Sequence, residues 1–186
     1  MAKHDIPTPQ ELRKLLRYEP ETGKLFWRER TPDMFEDGKA TAEHKSNRWN
    51  SRYAGKEAFT SYSTGYKCGG IFNKVYLAHR IIWAMLQGAW PEEQIDHING
   101  VRDDNRMENL RAVTHQENSK NQKVSIVNTS GHMGVSWHKE EKKWVARIGV
   151  NKNRIHLGVF SNIEDAIVAR KAAEVKYGFH ENHGRD

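Results

Sequence analysis

Ile95-Asp96-His97-Ile98-Asn99-Gly100, Glu108-Asn109-Leu110-Arg111 and Val113-Thr114-His115-Gln116-Glu117-Asn118 hold the densest run of functional residue types in the chain. Asp96 and His97 close a short apolar strand, and Leu110 to Val113 reads as its partner. Thr114-x-x-Glu117 is a capping box, in which hydroxyl and carboxylate satisfy backbone N–H groups reciprocally, so a helix is expected to continue to about Lys123. That order of strand, strand and helix brings the start of the helix back over the first strand and would set Asn118 near Asp96 and His97. A carboxylate and a carboxamide are hard oxygen donors that suit Mg²⁺ or Mn²⁺, and a neutral imidazole can take a proton from water near pH 7. These are the parts of metal-assisted hydrolysis. Adjacent residues of a regular strand point to opposite faces, so both side chains address one phosphate only if the strand ends or twists at His97. Asn99-Gly100 immediately after allows that.

Outward from this stretch, Thr8-Pro9-Gln10-Glu11 combines a capping hydroxyl, a proline at the first helical position and a capping-box glutamate ahead of Leu12, Leu15 and Leu16. The helix it opens is expected to end near Tyr18-Glu19-Pro20, because the residue before proline is pushed out of the helical region. Lys24 to Arg28 reads as a strand, Glu29 to Arg52 as a long polar loop, and Tyr62 to Leu77 as a small twisted hairpin punctuated by glycines. Ala78 to Gly88 reads as a helix burying Ile81, Ile82, Met85 and Leu86. His79, beside Arg80 at the start of that helix, is expected to be structural, with a place in the site as the alternative.

These residues resemble phage-type HNH endonucleases, including intron-encoded homing endonucleases, whose ββα-metal motif runs Asp-His, then Asn, then His or Asn. Tyr18-Glu19-Pro20-Glu21-Thr22-Gly23-Lys24-Leu25-Phe26-Trp27 and Ala78-His79-Arg80-Ile81-Ile82-Trp83 resemble the family's lead-in, so the likeness covers about residues 8 to 123. The resemblance implies that Asp96 and Asn118 hold one divalent ion, that His97 is the general base, and that Asn109 braces the loop that holds His97. Arg102, Arg106, Arg111, Lys120 and Lys123 surround the motif as candidates for phosphate contacts. His115 is a phosphate contact or a bystander, and Asn121 is the rival of Asn118 as ligand. His180-x-x-His183 has one residue too few between its histidines for a helical zinc pair and lies in a tail, so no zinc is expected.

Val124 to Gly131 reads as a linker, and a second unit follows. Gly134 to His138, Trp144 to Val150 and Arg154 to Phe160 alternate as three strands, and Ser161-Asn162-Ile163-Glu164 is another capping box, with Ser161 as its cap, opening an alanine-rich helix that stops at Gly178. Alternation places Trp144, Ala146, Ile148, Ile155 and Leu157 on the helix side, and Ser136, His138, Val145, Arg147, Arg154 and His156 on the open face. Residues 131–178 resemble the plant ethylene-response-factor (Apetala-type) DNA-binding domain, which implies that His138, Arg147, Arg154 and His156 face DNA. The open face has fewer arginines than the plant pattern, and His156 stands where that pattern exposes a tryptophan.

The 186 residues carry 30 Lys and Arg against 24 Asp and Glu, for a net charge of +6, and 37% are hydrophobic. That length suits one ordinary domain or two small ones, and the basic balance favours a polyanionic partner. A single cysteine excludes an internal disulfide and zinc fingers of Cys₄ or Cys₂His₂ type. The start has no apolar leader and the greasiest segment, Val75 to Trp90, is interrupted by His79 and Arg80, so a cytoplasmic protein away from the membrane is expected. The expected fold is α+β. An HNH ββα-metal nuclease domain occupies 1–123 with its core at about 94–123; a linker, 124–131, leads to a three-stranded antiparallel sheet with one helix, 132–178, and a tail, 179–186. The expected function is that of a monomeric, Mg²⁺- or Mn²⁺-dependent, homing-endonuclease-like enzyme. It would hydrolyse double-stranded DNA to 5′-phosphate and 3′-hydroxyl ends, with sites chosen by the C-terminal module. The alternatives are a sequence-specific DNA-binding regulator with an inactive nuclease fold, and a structural partner in a larger nuclease machine.

Overall fold

The computed structural model describes residues 6–114, 117, 118, 120, 121, 124, 127–181, 183 and 184. Two compact units divide at Ala112/Val113, earlier in the chain than the linker expected at 124–131. The architecture is α+β throughout, with helices set against several small antiparallel sheets. No helix among the described residues is long and apolar enough to cross a membrane.

The first unit opens with α1 (Pro9–Leu15), capped by the Thr8–Glu11 box read from the sequence. Contrary to expectation the helix does not run on to Tyr18. Leu16 is already extended, and β1 (Leu16–Glu19) pairs antiparallel with β2 (Lys24–Trp27). The three leucines fit a helical face, but the strand buries Leu16 equally well in the same core, and the pairing supplies its backbone hydrogen bonds. β3 (Glu57–Ala58) adds to β2.

The second correction lies between β2 and β3, where the expected loop contains α2 (Ala42–Tyr53), capped by Thr41. This helix buries only Ser46 and has no apolar stripe for periodicity to detect. Its attachment is polar and aromatic: Ser46 Oγ and Asn50 Nδ2 donate to the Arg30 carbonyl at 2.5 and 3.0 Å, and Trp49 packs edge-on against Trp27.

β4 (Ser61–Ser63), β5 (Tyr66–Ile71) and β6 (Lys74–Leu77) form a meander rather than a single hairpin. Phe72 and Asn73 take positive φ at the β5–β6 turn, the signature of a two-residue turn matched to strand twist. α3 (Ala78–Gln87) ends at Gly88 in the left-handed conformation and buries Ile81, Ile82 and Met85, but Leu86 is 45% exposed and not in the core. α1 and α3 share that core, and Arg13 Nε donates to the Met85 carbonyl. β7 (Gln94–His97) and β8 (Leu110–Val113) close the unit as a two-stranded ladder.

In the second unit β9 (Val135–His138), β10 (Lys143–Val150) and β11 (Asn153–Phe160) lie antiparallel in the order β11-β10-β9, with α4 (Ile163–Lys176) packed on one face. The core is small: Val135, Ala146 and Ala166, flanked by Trp144, Leu157, Phe160, Ile163 and Ile167. A register shift opposite Ala146/Arg147 leaves Leu157 unpaired in β11, which lets both Leu157 and Phe160 reach the core although simple alternation separates them. Two further expectations are corrected. α4 is capped by Asn162 rather than Ser161, and Val145, assigned to the open face, is only 3% exposed. Ala166 and Ala173 are buried as expected, but Arg170 lies between them on the same helical face.

Candidate active site

The geometry begins with the way β7 ends. Gly100 donates its N–H to the His97 carbonyl at 2.8 Å with φ +72°, and Ile98 donates to the Asn109 carbonyl at 2.9 Å. The chain therefore turns directly after His97, as Asn99-Gly100 suggested. Ile95, Asp96 and His97 are all buried.

His97 is 3% exposed, and its Nε2 lies 3.0 Å from Asn105 Oδ1. With the carboxamide in this orientation the imidazole proton sits on Nε2, and Nδ1 is the basic nitrogen. Burial lowers the His97 pKa, and the Asn105 hydrogen bond opposes that shift. Asn105 is itself 1% exposed and pinned from behind: the Tyr18 hydroxyl donates to its carbonyl at 3.2 Å and accepts the Met107 N–H at 3.0 Å.

Asn109 ties the loop across its width. Its Oδ1 accepts the Asn99 N–H at 2.9 Å and its Nδ2 donates to the Asp104 carbonyl at 2.8 Å. Asp104 receives two hydrogen bonds from the Arg106 guanidinium and one from Asn99 Nδ2, which hold its carboxyl down at about 2.

Behind the imidazole lies a second one. His79 meets His97 edge-on with ring centroids 5.1 Å apart, and Tyr66 touches both rings at 5.1 and 5.7 Å. Burial drives the His79 pKa to about 3, so it is neutral and adds no charge beside His97. On the other side, Asp96 Oδ2 accepts from Arg111 Nε and Nη2 at 3.0 and 2.8 Å.

Of the residues singled out in the sequence, Asp96, His97, Asn109, Arg102, Arg106 and Arg111 lie in the first unit. Each of the three arginines is engaged there: Arg111 with Asp96, Arg106 with Asp104 and Glu108, and Arg102 with the Thr64 carbonyl and the Tyr66 ring. Asn118 and Lys120 belong to the second unit. The Thr114–Glu117 capping box forms, and Asn118 donates its N–H to the Thr114 carbonyl. Lys120 Nζ donates to the Tyr177 carbonyl, and Asn121 is buried. Arg154 and His156 are exposed, whereas His138 and Arg147 are half-buried. Lys123 and His115 lie outside the described residues. Sequence reasoning gave no role to Asn105 or Tyr66 and set His79 aside as structural. Asn105 sits within the quoted stretch, but its partnership with His97 is made by the turn and no spacing rule announces it.

Residues 76–120 match the HNH endonuclease family. The HNH-matching segment carries β7, His97, the loop with Asn105 and Asn109, and β8. Protein 3.8 of Escherichia phage T7 is 39% identical over 74 residues, which are 39% of this chain and 61% of the phage protein. No solved structure matches. The family match ends at residue 120 and does not reach the sheet and helix of the second unit.

Proposed function

We propose that the chain is a metal-dependent endonuclease that hydrolyses phosphodiester bonds of double-stranded DNA. The observation that carries this reading is the buried His97 imidazole, fixed through Nε2 by Asn105 at the end of β7 inside the HNH-matching segment. In this reading the imidazole, held by Asn105, takes a proton from water as that water adds to phosphorus. The bond from phosphorus to the 3′ oxygen breaks, leaving 5′-phosphate and 3′-hydroxyl ends. Burial favours the neutral imidazole that this step requires, and neutral His79 adds no competing charge.

The Asp96 carboxylate, kept ordered by two Arg111 N–H groups, is a hard oxygen donor of the kind a divalent ion takes, and Asn118 as a second ligand rests on the family resemblance alone. Among the described residues no three His, Cys, Asp or Glu side chains gather as a metal cluster. Mg²⁺ or Mn²⁺ bound there would supply charge stabilisation at the phosphate and the leaving oxygen. Arg102 and Arg106 would lie along the DNA backbone, and the second unit, through exposed Arg154 and His156, would help choose the site. Homing and the ethylene-response-factor likeness rest on resemblance.

The test is cleavage of supercoiled and linear duplex DNA with Mg²⁺, with Mn²⁺ and with chelator, wild type beside His97→Ala. Metal-dependent cutting that falls about 10²–10⁴-fold in the variant, with DNA binding retained, is expected. Unchanged cutting would sink the base assignment. One observation favours a second reading: Arg111 already neutralises Asp96, as it would in a DNA-binding regulator that does not cut. Binding without cleavage under every metal condition would establish that reading.

A further inference from the structure

The first unit carries a cleft of about 660 Å³ apart from the His97 loop, walled by Trp27, Trp49, Tyr53 and Phe72, with Arg30 among them. The Arg30 guanidinium lies 3.9 Å from the centre of the Trp49 ring and 5.6 Å from that of Trp27. Its backbone is fixed by α2, since Asn50 Oδ1 accepts the Arg30 N–H and the Ser46 hydroxyl and Asn50 amide donate to the Arg30 carbonyl. The position is held, yet the charge is unmatched. Among the described residues no carboxylate pairs with Arg30, and its Nε is buried with no hydrogen-bond partner.

Arg30 is half-buried against the ring faces, and a buried Nε–H left without an acceptor is costly unless a ligand supplies one. The aromatic walls require that ligand to be flat, and the positive charge excludes the cations that aromatic cages otherwise hold. A nucleotide meets both conditions: a π-face for Tyr53 and Phe72, which are each 37% exposed, and acceptors for Arg30. We propose that this cleft takes up one unpaired nucleobase of a DNA strand, stacked on the aromatic side chains, with an acceptor of the same nucleotide on Arg30. The inference rests on the nuclease reading for the source of the base, and the chemistry of the cleft is independent of it. The β1–β2 hairpin links the two places, for Trp27 ends β2 while Tyr18 of β1 holds the loop of Asn105.

The experiment titrates the full chain, in chelator so that nothing is cut, with thymidine 5′-monophosphate and with an oligothymidylate, following tryptophan emission. Arg30→Gln and Tyr53→Ala are run beside wild type. Quenching is expected in wild type, with affinity lowered about five- to hundredfold in each variant, the range for loss of one base–aromatic stack. Tyr53 ends α2 at the surface, so its variant decides the matter if Arg30→Gln does not fold. Wild-type affinity in Tyr53→Ala would overturn the proposal. So would full displacement by inorganic phosphate with no binding of thymidine, which would define an anion site only. Nucleotide binding lowered in the variants, in a protein that never cuts DNA, would leave the cleft assigned and refute the nuclease reading. Cutting by a protein that fails to bind either nucleotide probe would do the reverse.

Discussion

Each unit buries polar groups, and the Arg170 guanidinium of the second differs from the surroundings of His97 in the first in how completely it is matched. In the second unit Arg170 is 6% exposed on a helix face otherwise made of alanine. Its Nε donates to Glu174, its Nη1 to the Arg147 carbonyl, and its Nη2 lies 3.1 Å from His183 Nε2. In the first unit Asp96, His97, Asn105, Asn109 and His79 are buried together, and the set has loose ends: among the described residues His79 Nδ1 and Asn105 Nδ2 have no hydrogen-bond partner. An arrangement that satisfies a buried cation on all sides serves the fold. One that leaves buried polar atoms unmatched costs stability, and that cost persists where the geometry is used for something else.

The comparison can be broken at either end. Arg170→Ala strips a buried cation from Glu174 and from the Arg147 carbonyl, and is expected to destabilise the second unit by about 3–5 kcal/mol in urea unfolding. Little loss of stability with altered DNA affinity would make Arg170 functional and erase the distinction. Asn105→Ala is the matching change in the first unit. It frees the His97 ring, so cleavage is expected to fall about 10–100-fold, while unfolding free energy drops by only about 1–2 kcal/mol. A stability loss with no change in turnover would return Asn105 to a purely structural role.

His79→Gln sharpens the comparison by pH. The His79 pKa is lowered to about 3 in the fold against 6.5 for an ordinary histidine, so between those values the unfolded chain binds a proton that the folded chain refuses. Stability therefore rises with pH across that window, by up to about 1.4 kcal/mol per unit, and is complete above 6.5. The variant is expected to flatten this acid limb in denaturant titrations at a series of pH values. An unchanged limb would mean that another group governs acid unfolding.

Elements with a local signature were legible in the sequence. The Thr8–Glu11 and Thr114–Glu117 boxes, Gly88 as a helix stop and the alternation of β9 to β11 can all be read from neighbouring residues. α2 was not, because its attachments are Trp49 on Trp27 and Asn50 on Arg30, contacts that exist only after folding. Leu16 misled because a leucine at helical spacing is equally content in a strand that reaches the same core. The same limit governs the site. Asp96, His97 and Asn109 stand out by type and spacing, whereas His79 and Asn105 gain meaning only when α3 and the turn bring them to one imidazole. Arg170 was hidden for the opposite reason, since a lone arginine in an alanine stripe reads as solvated.

The turn between β1 and β2 bears on how this protein can be divided. A Cβ on Gly23 would come within 2.6 Å of the Arg106 nitrogen and the Asn105 carbonyl carbon, and the Tyr18 hydroxyl bridges that peptide to the next one of the loop. The segment that matches the HNH family starts at residue 76, yet the surface against which its loop is moulded is encoded more than fifty residues earlier. A gene fragment cut at the family boundary would carry Asp96, His97 and Asn109 without their mould. Exchange of this segment between proteins by recombination would succeed only where the lead-in hairpin travels with it.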